Sequence, residues 1–130
     1  MDTNVIKECT ALSLEEQITF PEVVMKLAGA GVERYIADLV GQQKLSYGAN
    51  GETHTGALPY EGPAIPAQLD AAAVAAAIKD IQQGRIQYRE FLHRVMAAGC
   101  SHYEVFITGR QAIYFGRDGS QHVELFPNTK

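Results

Sequence analysis

The sequence predicts an α+β fold: two ααβββ repeats, related by a pseudo-twofold axis and packed as one compact domain with an antiparallel sheet. Two observations lead to this prediction. First, residues 2–59 align without a gap to residues 70–127 when the chain is shifted by 68 positions. Second, apolar residues in each copy recur with helical spacing and then alternate as in strands. Residues 60–69 contain two prolines, which disfavour regular structure, and are interpreted as a linker. The chain 1–130 is therefore predicted to be a single domain.

The repeat is supported by the kind of residue that is shared. Twelve aligned positions are identical, whereas composition alone gives roughly four. Four of the twelve are glycines, among them Gly48/Gly116 and Gly51/Gly119. Shared glycines indicate shared turns, and the shared spacing of apolar residues indicates shared burial.

Two helices are predicted in each repeat. Asp70 is a favourable N-cap for a helix over 71–83, whose counterpart covers 3–12. The second helix begins at the capping box Thr19-Phe20-Pro21-Glu22. Its counterpart in the second repeat covers 88–98.

Three strands follow in each repeat. They are predicted at 33–40, 44–48 and 52–57, and again at 101–108, 112–116 and 120–126. Alternation is expected to turn one side of every strand inward. The residues expected inside are Tyr35, Ala37, Leu39, Leu45, Tyr47, Thr53, Thr55 and Ala57, then Tyr103, Val105, Ile107, Ile113, Phe115, Gln121, Val123 and Leu125. The pattern leaves open whether the strands form one six-stranded sheet or two facing three-stranded sheets.

Several runs in this region resemble a known family. They are Gly31-Val32-Glu33-Arg34-Tyr35, Gly51-Glu52-Thr53-His54 and Tyr114-Phe115-Gly116-Arg117-Asp118-Gly119. Together they resemble a family of small uncharacterised bacterial proteins that is sometimes labelled phage envelope protein. The resemblance covers nearly the whole chain and implies a compact α+β fold and a link to prophages. It implies no activity, substrate or catalytic residue.

Charge and composition exclude several classes of protein. The formal net charge of -4 argues against binding to duplex nucleic acid, which needs a stripe of basic residues. No basic leader and no apolar run of roughly 18 residues precedes or interrupts the predicted elements, so we expect no membrane partner and a cytoplasmic protein. Cys9 and Cys100 are expected to be reduced, partly buried thiols.

The candidate ligand-binding residues are polar or aromatic side chains that the alternation places away from the predicted interior. They are Arg34, Asp38, His54, His102, Glu104, Phe106, Tyr114 and His122. His54 and His122 are identical in the two copies, and pseudo-symmetry would bring them together near the axis to bind a metal, an anion or a ligand carboxylate. The alternative is that each histidine hydrogen-bonds a turn carbonyl and stabilises its hairpin.

A metal site is not predicted. It would need His102 and Glu104 from the first strand of the second repeat and His122 and Glu124 from the third, roughly 10 Å away. No cofactor motif is present either, since the sequence lacks dinucleotide-binding, P-loop and hydrolase signatures. Phe106 with Tyr114 would line a pocket or, as we favour, form a seam between sheets or subunits.

Three functions are compatible with these features. The one that we favour is a non-catalytic module that binds a protein or small-molecule partner whose identity the sequence does not give. One alternative is a small enzyme that uses the paired His54 and His122 as acid-base or ligand-binding groups. The other is a homo-oligomeric structural or regulatory factor of prophage origin, with a homodimer as its simplest form.

Overall fold

The computed structural model describes residues 1–127, and the predicted domain bounds of 1–130 extend beyond this range. Four helices pack against one face of a six-stranded antiparallel sheet, which confirms the predicted α+β class. The helices are α1 (Thr3–Leu14), α2 (Phe20–Gly29), α3 (Ala71–Gln82) and α4 (Tyr88–Ala97). The strands are β1 (Val32–Asp38), β2 (Gln43–Gly48), β3 (Thr53–Ala57), β4 (Cys100–Phe106), β5 (Gln111–Gly116) and β6 (Gln121–Leu125).

The helices begin at residues that the sequence marks as caps. The Asp70 carboxylate accepts a hydrogen bond from the backbone N–H of Ala73 at 3.0 Å, and Asp2 caps α1 in the same way. At the start of α2 the Glu22 carboxylate accepts from the backbone N–H of Thr19 at 2.9 Å. These bonds satisfy N–H groups that have no partner within the helix, which is why the helices begin at these positions.

The strands form one sheet in the order β3-β2-β1-β4-β5-β6. The two halves of the chain therefore meet along β1 and β4, whose pairing is centred on Ile36 opposite Glu104. Each element of the second half begins and ends 68 positions after an element of the first half. The register follows the same offset, because Tyr35 lies opposite Ser46 and Tyr103 lies opposite Tyr114.

The predicted interior side is right for β1 and β4 and wrong for the other four strands. Tyr35, Ala37, Tyr103 and Val105 are buried under the helices as expected. In β2, however, Lys44 and Ser46 are buried while Leu45 and Tyr47 lie on the uncovered side. The same reversal holds for the residues predicted inside in three further strands: Thr53, Thr55 and Ala57 in β3, Ile113 and Phe115 in β5, and Gln121, Val123 and Leu125 in β6.

One loop accounts for the whole reversal in each half. The prediction placed three residues between the first and second strands, whereas the structure has four, residues 39–42, because Asp38 pairs with Gln43. A change of one residue in a hairpin loop turns every side chain of the next strand to the other face. The next hairpin pairs Tyr47 with Thr53, as the predicted strands imply. Since β3 keeps its predicted orientation relative to β2, it is turned over together with β2.

The core lies between the helices and the covered face of the sheet. Its fully buried side chains include Leu27 of α2, Val74 of α3 and Leu92 with Val95 of α4. Burial of such aliphatic side chains contributes about 1.5–3 kcal/mol each. Within residues 1–127 no helix packs on the opposite face of the sheet, and this uncovered face carries part of the candidate site.

Candidate functional site

The sheet divides the eight candidate residues between its two faces. The uncovered face carries Arg34, Asp38, His102, Glu104 and Phe106, and the covered face carries His54, Tyr114 and His122. The prediction that all eight share one face is therefore wrong for the last three. The cause is the loop of four residues described above, which turns β2, β3, β5 and β6 over.

His54 and His122 do not meet. They lie on β3 and β6, the two edge strands, five strand spacings apart. At about 4.8 Å per spacing the separation is roughly 24 Å. The prediction that pseudo-symmetry brings these imidazoles together near the axis is wrong, because the pairing of β1 with β4 places β3 and β6 at opposite edges of the sheet.

An ion pair lies at the middle of the uncovered face. The Arg34 guanidinium donates to the Glu104 carboxylate at 2.8 Å, and the Arg34 side chain is 35% exposed and that of Glu104 17%. The guanidinium carbon also lies 4.0 Å from the centroid of the Tyr47 ring. The pair joins β1 to β4, and a partly buried arrangement of this kind is held more firmly than an exposed salt bridge.

Two further candidates on this face are held by their neighbours. The His102 ring stacks on Phe115 with centroids 4.6 Å apart, and its Nδ1 lies 2.9 Å from the Ser101 hydroxyl oxygen. Asp38 accepts hydrogen bonds from the backbone N–H groups of the turn that follows β1, at 3.0 Å and 2.9 Å. Asp38 therefore stabilises the turn, and His102 forms part of an aromatic surface.

The uncovered face also carries apolar side chains, interspersed with polar ones. The apolar ones are Ile36, Leu45, Tyr47, Phe106, Ile113, Phe115, Val123 and Leu125, and the polar ones include Gln43, Thr53, Thr55, Gln111 and Gln121. Val123 is 47% exposed and Leu125 is 68% exposed, and the other apolar side chains are half-buried by their neighbours within the sheet. Neighbouring exposed apolar side chains, here at the β6 edge, are typical of a docking site.

The covered face holds three buried tyrosines, Tyr35, Tyr103 and Tyr114, which cluster with the partly buried Tyr88 of α4. The hydroxyl oxygens of Tyr88 and Tyr103 lie 3.0 Å apart in a hydrogen bond, and the rings of Tyr103 and Tyr114 stack. Burial raises the pKa of all four phenols, so they remain protonated near neutral pH. They are packing groups rather than bases.

A second group on the covered face was missed by the sequence analysis. Lys44 of β2 is only 7% exposed, its Nζ lies 4.3 Å from the centroid of the Tyr35 ring, and it donates to the Thr10 hydroxyl at 3.4 Å. Burial lowers the pKa of Lys44 to about 8. Its position opposite Gly56 places it beside His54 under α1. Its alignment with Ala112, an apolar position in the second half, is the one sequence feature that could have indicated its burial.

Both thiols are reduced and buried, as expected. The Cys100 thiol donates to the backbone carbonyl of His102 at 3.3 Å, and burial raises its pKa to about 12. Burial also raises the pKa of Cys9. Since the thiolate is the reactive form, neither cysteine is activated as a nucleophile.

The ionisable groups considered for a metal are separated by the sheet. His102 and Glu104 lie on the uncovered face, whereas His122 and Glu124 lie on the covered face, with His122 Nε2 3.6 Å from the Glu124 carboxylate. Across residues 1–127 no three His, Cys, Asp or Glu side chains are grouped so as to hold a metal ion. The same residues contain no helix whose length and apolar character would suit it to crossing a bilayer.

Comparison with known proteins leaves the family prediction untested. No protein-family model matches the chain, and no curated protein is significantly similar to it.

Proposed function

We propose that this protein is a non-catalytic interaction module and that the uncovered face of the sheet is its docking surface. The observation that carries the proposal is the group of apolar side chains on β5 and β6, among them Phe115, Val123 and Leu125, beside the central Arg34–Glu104 ion pair. Protein–protein interfaces combine exposed apolar side chains with a smaller number of polar pairs. At the opposite edge of the face, β3 carries the polar Thr53 and Thr55.

The occupant that fits this face best is a second copy of the chain. Six strands of five to seven residues span roughly 29 Å by 20 Å of flat sheet. With the relief of the side chains this is on the order of the 800 Å² per partner that a stable dimer buries. Two sheets would stack about 10 Å apart, as in a β-sandwich.

Charge complementarity favours the same occupant. The centre of the face carries one positive and one negative group, Arg34 and Glu104, within 2.8 Å of each other. In a two-fold arrangement the same patch meets itself, so each guanidinium would face a carboxylate of the other copy. A partner surface with one sign of charge would instead be repelled by whichever of Arg34 and Glu104 has the same sign.

We further propose that the chain arose as two ααβββ repeats related by a pseudo-twofold axis through the middle of the β1–β4 pair. The uniform offset of 68 positions in the bounds of all ten elements supports this proposal. Also in support, both first strands carry a bulge at aligned positions, between Val32 and Arg34 and between Cys100 and His102. Duplication would explain why one edge-to-edge pairing, β1 with β4, completes a single sheet.

The enzyme alternative is less well supported. It requires His54 and His122 to act together within hydrogen-bond reach of one substrate. They occupy opposite edges of the sheet. The buried tyrosines and thiols nearby have raised pKa values, which leaves them protonated rather than activated.

The test is the oligomeric state of the full chain at several concentrations by light scattering or sedimentation. We expect a dimer for the unmodified protein and a monomer for Phe106→Asp, because the substitution replaces an apolar contact beside Arg34 with a carboxylate that would have to lose its water in the interface. The matched control is Met25→Asp on α2, where the methionine is 74% exposed and away from the sheet. That variant should remain a dimer.

A milder variant separates loss of docking from loss of folding. Leu125→Glu changes a side chain that is 68% exposed, so it leaves the fold intact. We expect it to weaken the dimer while its thermal unfolding remains cooperative. A monomeric wild-type protein at high concentration, or a Phe106→Asp protein that remains dimeric, would contradict the proposed occupant.

A further inference from the structure

The covered face differs between the two halves of the chain in one compartment, beneath α1. Its residues are Cys9, Thr10, Lys44, Ser46 and Gly56, and the residues 68 positions later are Ala77, Ile78, Ala112, Tyr114 and Glu124. Beneath α3 the second half therefore carries mainly apolar or aromatic side chains and one carboxylate. Beneath α1 the first half carries a cation and two hydroxyls, with a glycine where the carboxylate would be.

The register brings the polar groups of the first half together. Ser46 of β2 lies directly opposite His54 of β3, and Lys44 lies opposite Gly56, all on the covered face. The imidazole Nε2 of His54 lies over Gly56, 3.5 Å from the point where a Cβ of that residue would be. Directly opposite side chains in a sheet have Cβ atoms about 5 Å apart. The side chains of Lys44, Ser46 and His54 therefore start from neighbouring positions on the covered face.

These groups lack partners of their own. Ser46 is fully buried, and neither its Oγ nor His54 Nε2 has a hydrogen-bond partner among the described residues. In the part of the chain that the structure describes, Lys44 forms no ion pair, and only the Thr10 hydroxyl and the Tyr35 ring contact its ammonium. Buried polar and charged groups without partners are costly to a fold, so a ligand that accepted hydrogen bonds from them would relieve that cost.

The second half carries a carboxylate at the position of Gly56. There Glu124 lies on the same strand as His122, 3.6 Å from its Nε2, which is too far for a hydrogen bond and leaves that nitrogen without a hydrogen-bond partner among the described residues. Gly56 is the counterpart of Glu124, so the equivalent imidazole of His54 has no carboxylate beside it. Thr10 and His54 are partly exposed, and His54 lies on the edge strand β3.

We infer that the compartment beneath α1 binds a small oxyanion, a carboxylate or inorganic phosphate, between Lys44, Ser46 and His54. The anion occupies the place that Glu124 takes in the second half, with the Lys44 ammonium, the Ser46 hydroxyl and His54 Nε2–H donating to its oxygens. Charge-assisted hydrogen bonds of this kind are about twice as strong as neutral ones. The site lies on the opposite side of the sheet from the docking surface and is independent of the proposed dimer.

The test measures binding of inorganic phosphate and of acetate, by calorimetry and by thermal unfolding, with chloride at equal ionic strength as the reference. We expect both anions to raise the unfolding temperature of the full-length protein above the value in chloride. Lys44→Met should bind each anion at least tenfold more weakly. Lys26→Met removes a positive charge from an exposed lysine on α2 and should bind as the wild type does.

A second variant tests the location directly. Gly56→Glu places a carboxylate where the second half has Glu124, and the space around Gly56 leaves ordinary van der Waals room for a side chain. We expect this variant to fold, to be more stable than the wild type in chloride, and to lose anion binding. A wild-type protein that responds to neither phosphate nor acetate overturns the inference, as does a Lys44→Met or Gly56→Glu protein that binds the anions as tightly as the wild type.

Discussion

Replacement of Lys44 by methionine should stabilise the protein at neutral pH and lose that effect in alkali. The ammonium is buried under α1, and burial lowers the pKa of Lys44 from 10.5 to about 8. Each unit of that difference corresponds to 1.36 kcal/mol, so the cost of the buried charge at pH 7 is about 3 kcal/mol. Methionine has a similar length and shape and carries no charge.

Two contacts of the ammonium are lost with methionine. The ammonium lies 4.3 Å from the centroid of the Tyr35 ring. The hydrogen bond to Thr10 at 3.4 Å is long, and the Thr10 hydroxyl still donates to the Ile6 carbonyl at 3.2 Å. Both contacts act on the charged form, whose net cost sets the lowered pKa, so the expected increase in the free energy of unfolding at pH 7 is about 3 kcal/mol.

The sign of the pH dependence follows from the lowered pKa. Below pH 8 the lysine is protonated in the folded and the unfolded chain, and the folded state bears the full cost of the buried charge. Between pH 8 and 10.5 the unfolded chain binds more protons than the folded chain, so the stability of the wild type rises with pH. Above 10.5 the side chain is neutral in both states, and the advantage of methionine should vanish.

Urea unfolding at pH 7, 8, 9 and 10 measures this difference, provided that the dependence on urea is unchanged by the substitution. The buried tyrosines, whose pKa values are raised, affect the stability of both proteins alike above pH 10 and cancel in the comparison. Lys26→Met, at an exposed lysine, should change little at any pH. A methionine variant that is less stable at pH 7, or a difference that does not change with pH, would refute the reasoning.

Two further predictions concern the core. Gly99→Ala should lower the free energy of unfolding by about 3 kcal/mol or more, because Gly99 has a φ of +101° and a Cβ there would clash with the Gln68 carbonyl oxygen. The control is Gly84→Ala, where φ is +73° and the space around the residue is open. By the same urea assay this change should cost about 1 kcal/mol. Tyr88→Phe should cost about 1–2 kcal/mol by leaving the Tyr103 hydroxyl without a partner. The double variant with Tyr103→Phe should cost less than the two single losses together, and additive losses would show that the hydrogen bond contributes nothing.

The helices and strands could be predicted well because they depend on interactions between residues close in sequence. Asp70 and the Thr19 capping box mark helix starts through hydrogen bonds made within three residues, and both bonds are present. Apolar alternation placed β1 and β4, since their inward apolar residues alternate with the charged or polar Arg34, Asp38, His102 and Glu104. The length of the loop after β1 was less accessible, because Gln42 adopts a φ of +54°, a conformation that no glycine signals there.

The candidate residues could be placed correctly only on strands whose inward side was predicted correctly. Arg34, Glu104 and Phe106 lie on β1 or β4 and reach the uncovered face as expected, whereas His54 and His122 lie on strands that the loop turns over. Lys44 was missed for a related reason. A lysine within an alternating strand ordinarily indicates solvent, and only the packing of α1 over the sheet buries it.

The residues of β5 connect the failed face assignment to the proposed docking surface. Its run Ala112-Ile113-Tyr114-Phe115 is apolar on both sides, so hydrophobicity could not indicate which side the helices cover. Strands that are apolar on both sides are typical of sheets buried on both faces. In one copy of this chain only the side of Ala112 and Tyr114 is covered, and the side of Ile113 and Phe115 is not. A second sheet stacked on that side would complete the burial that the sequence of β5 is suited to, which is the arrangement that the Phe106→Asp variant tests.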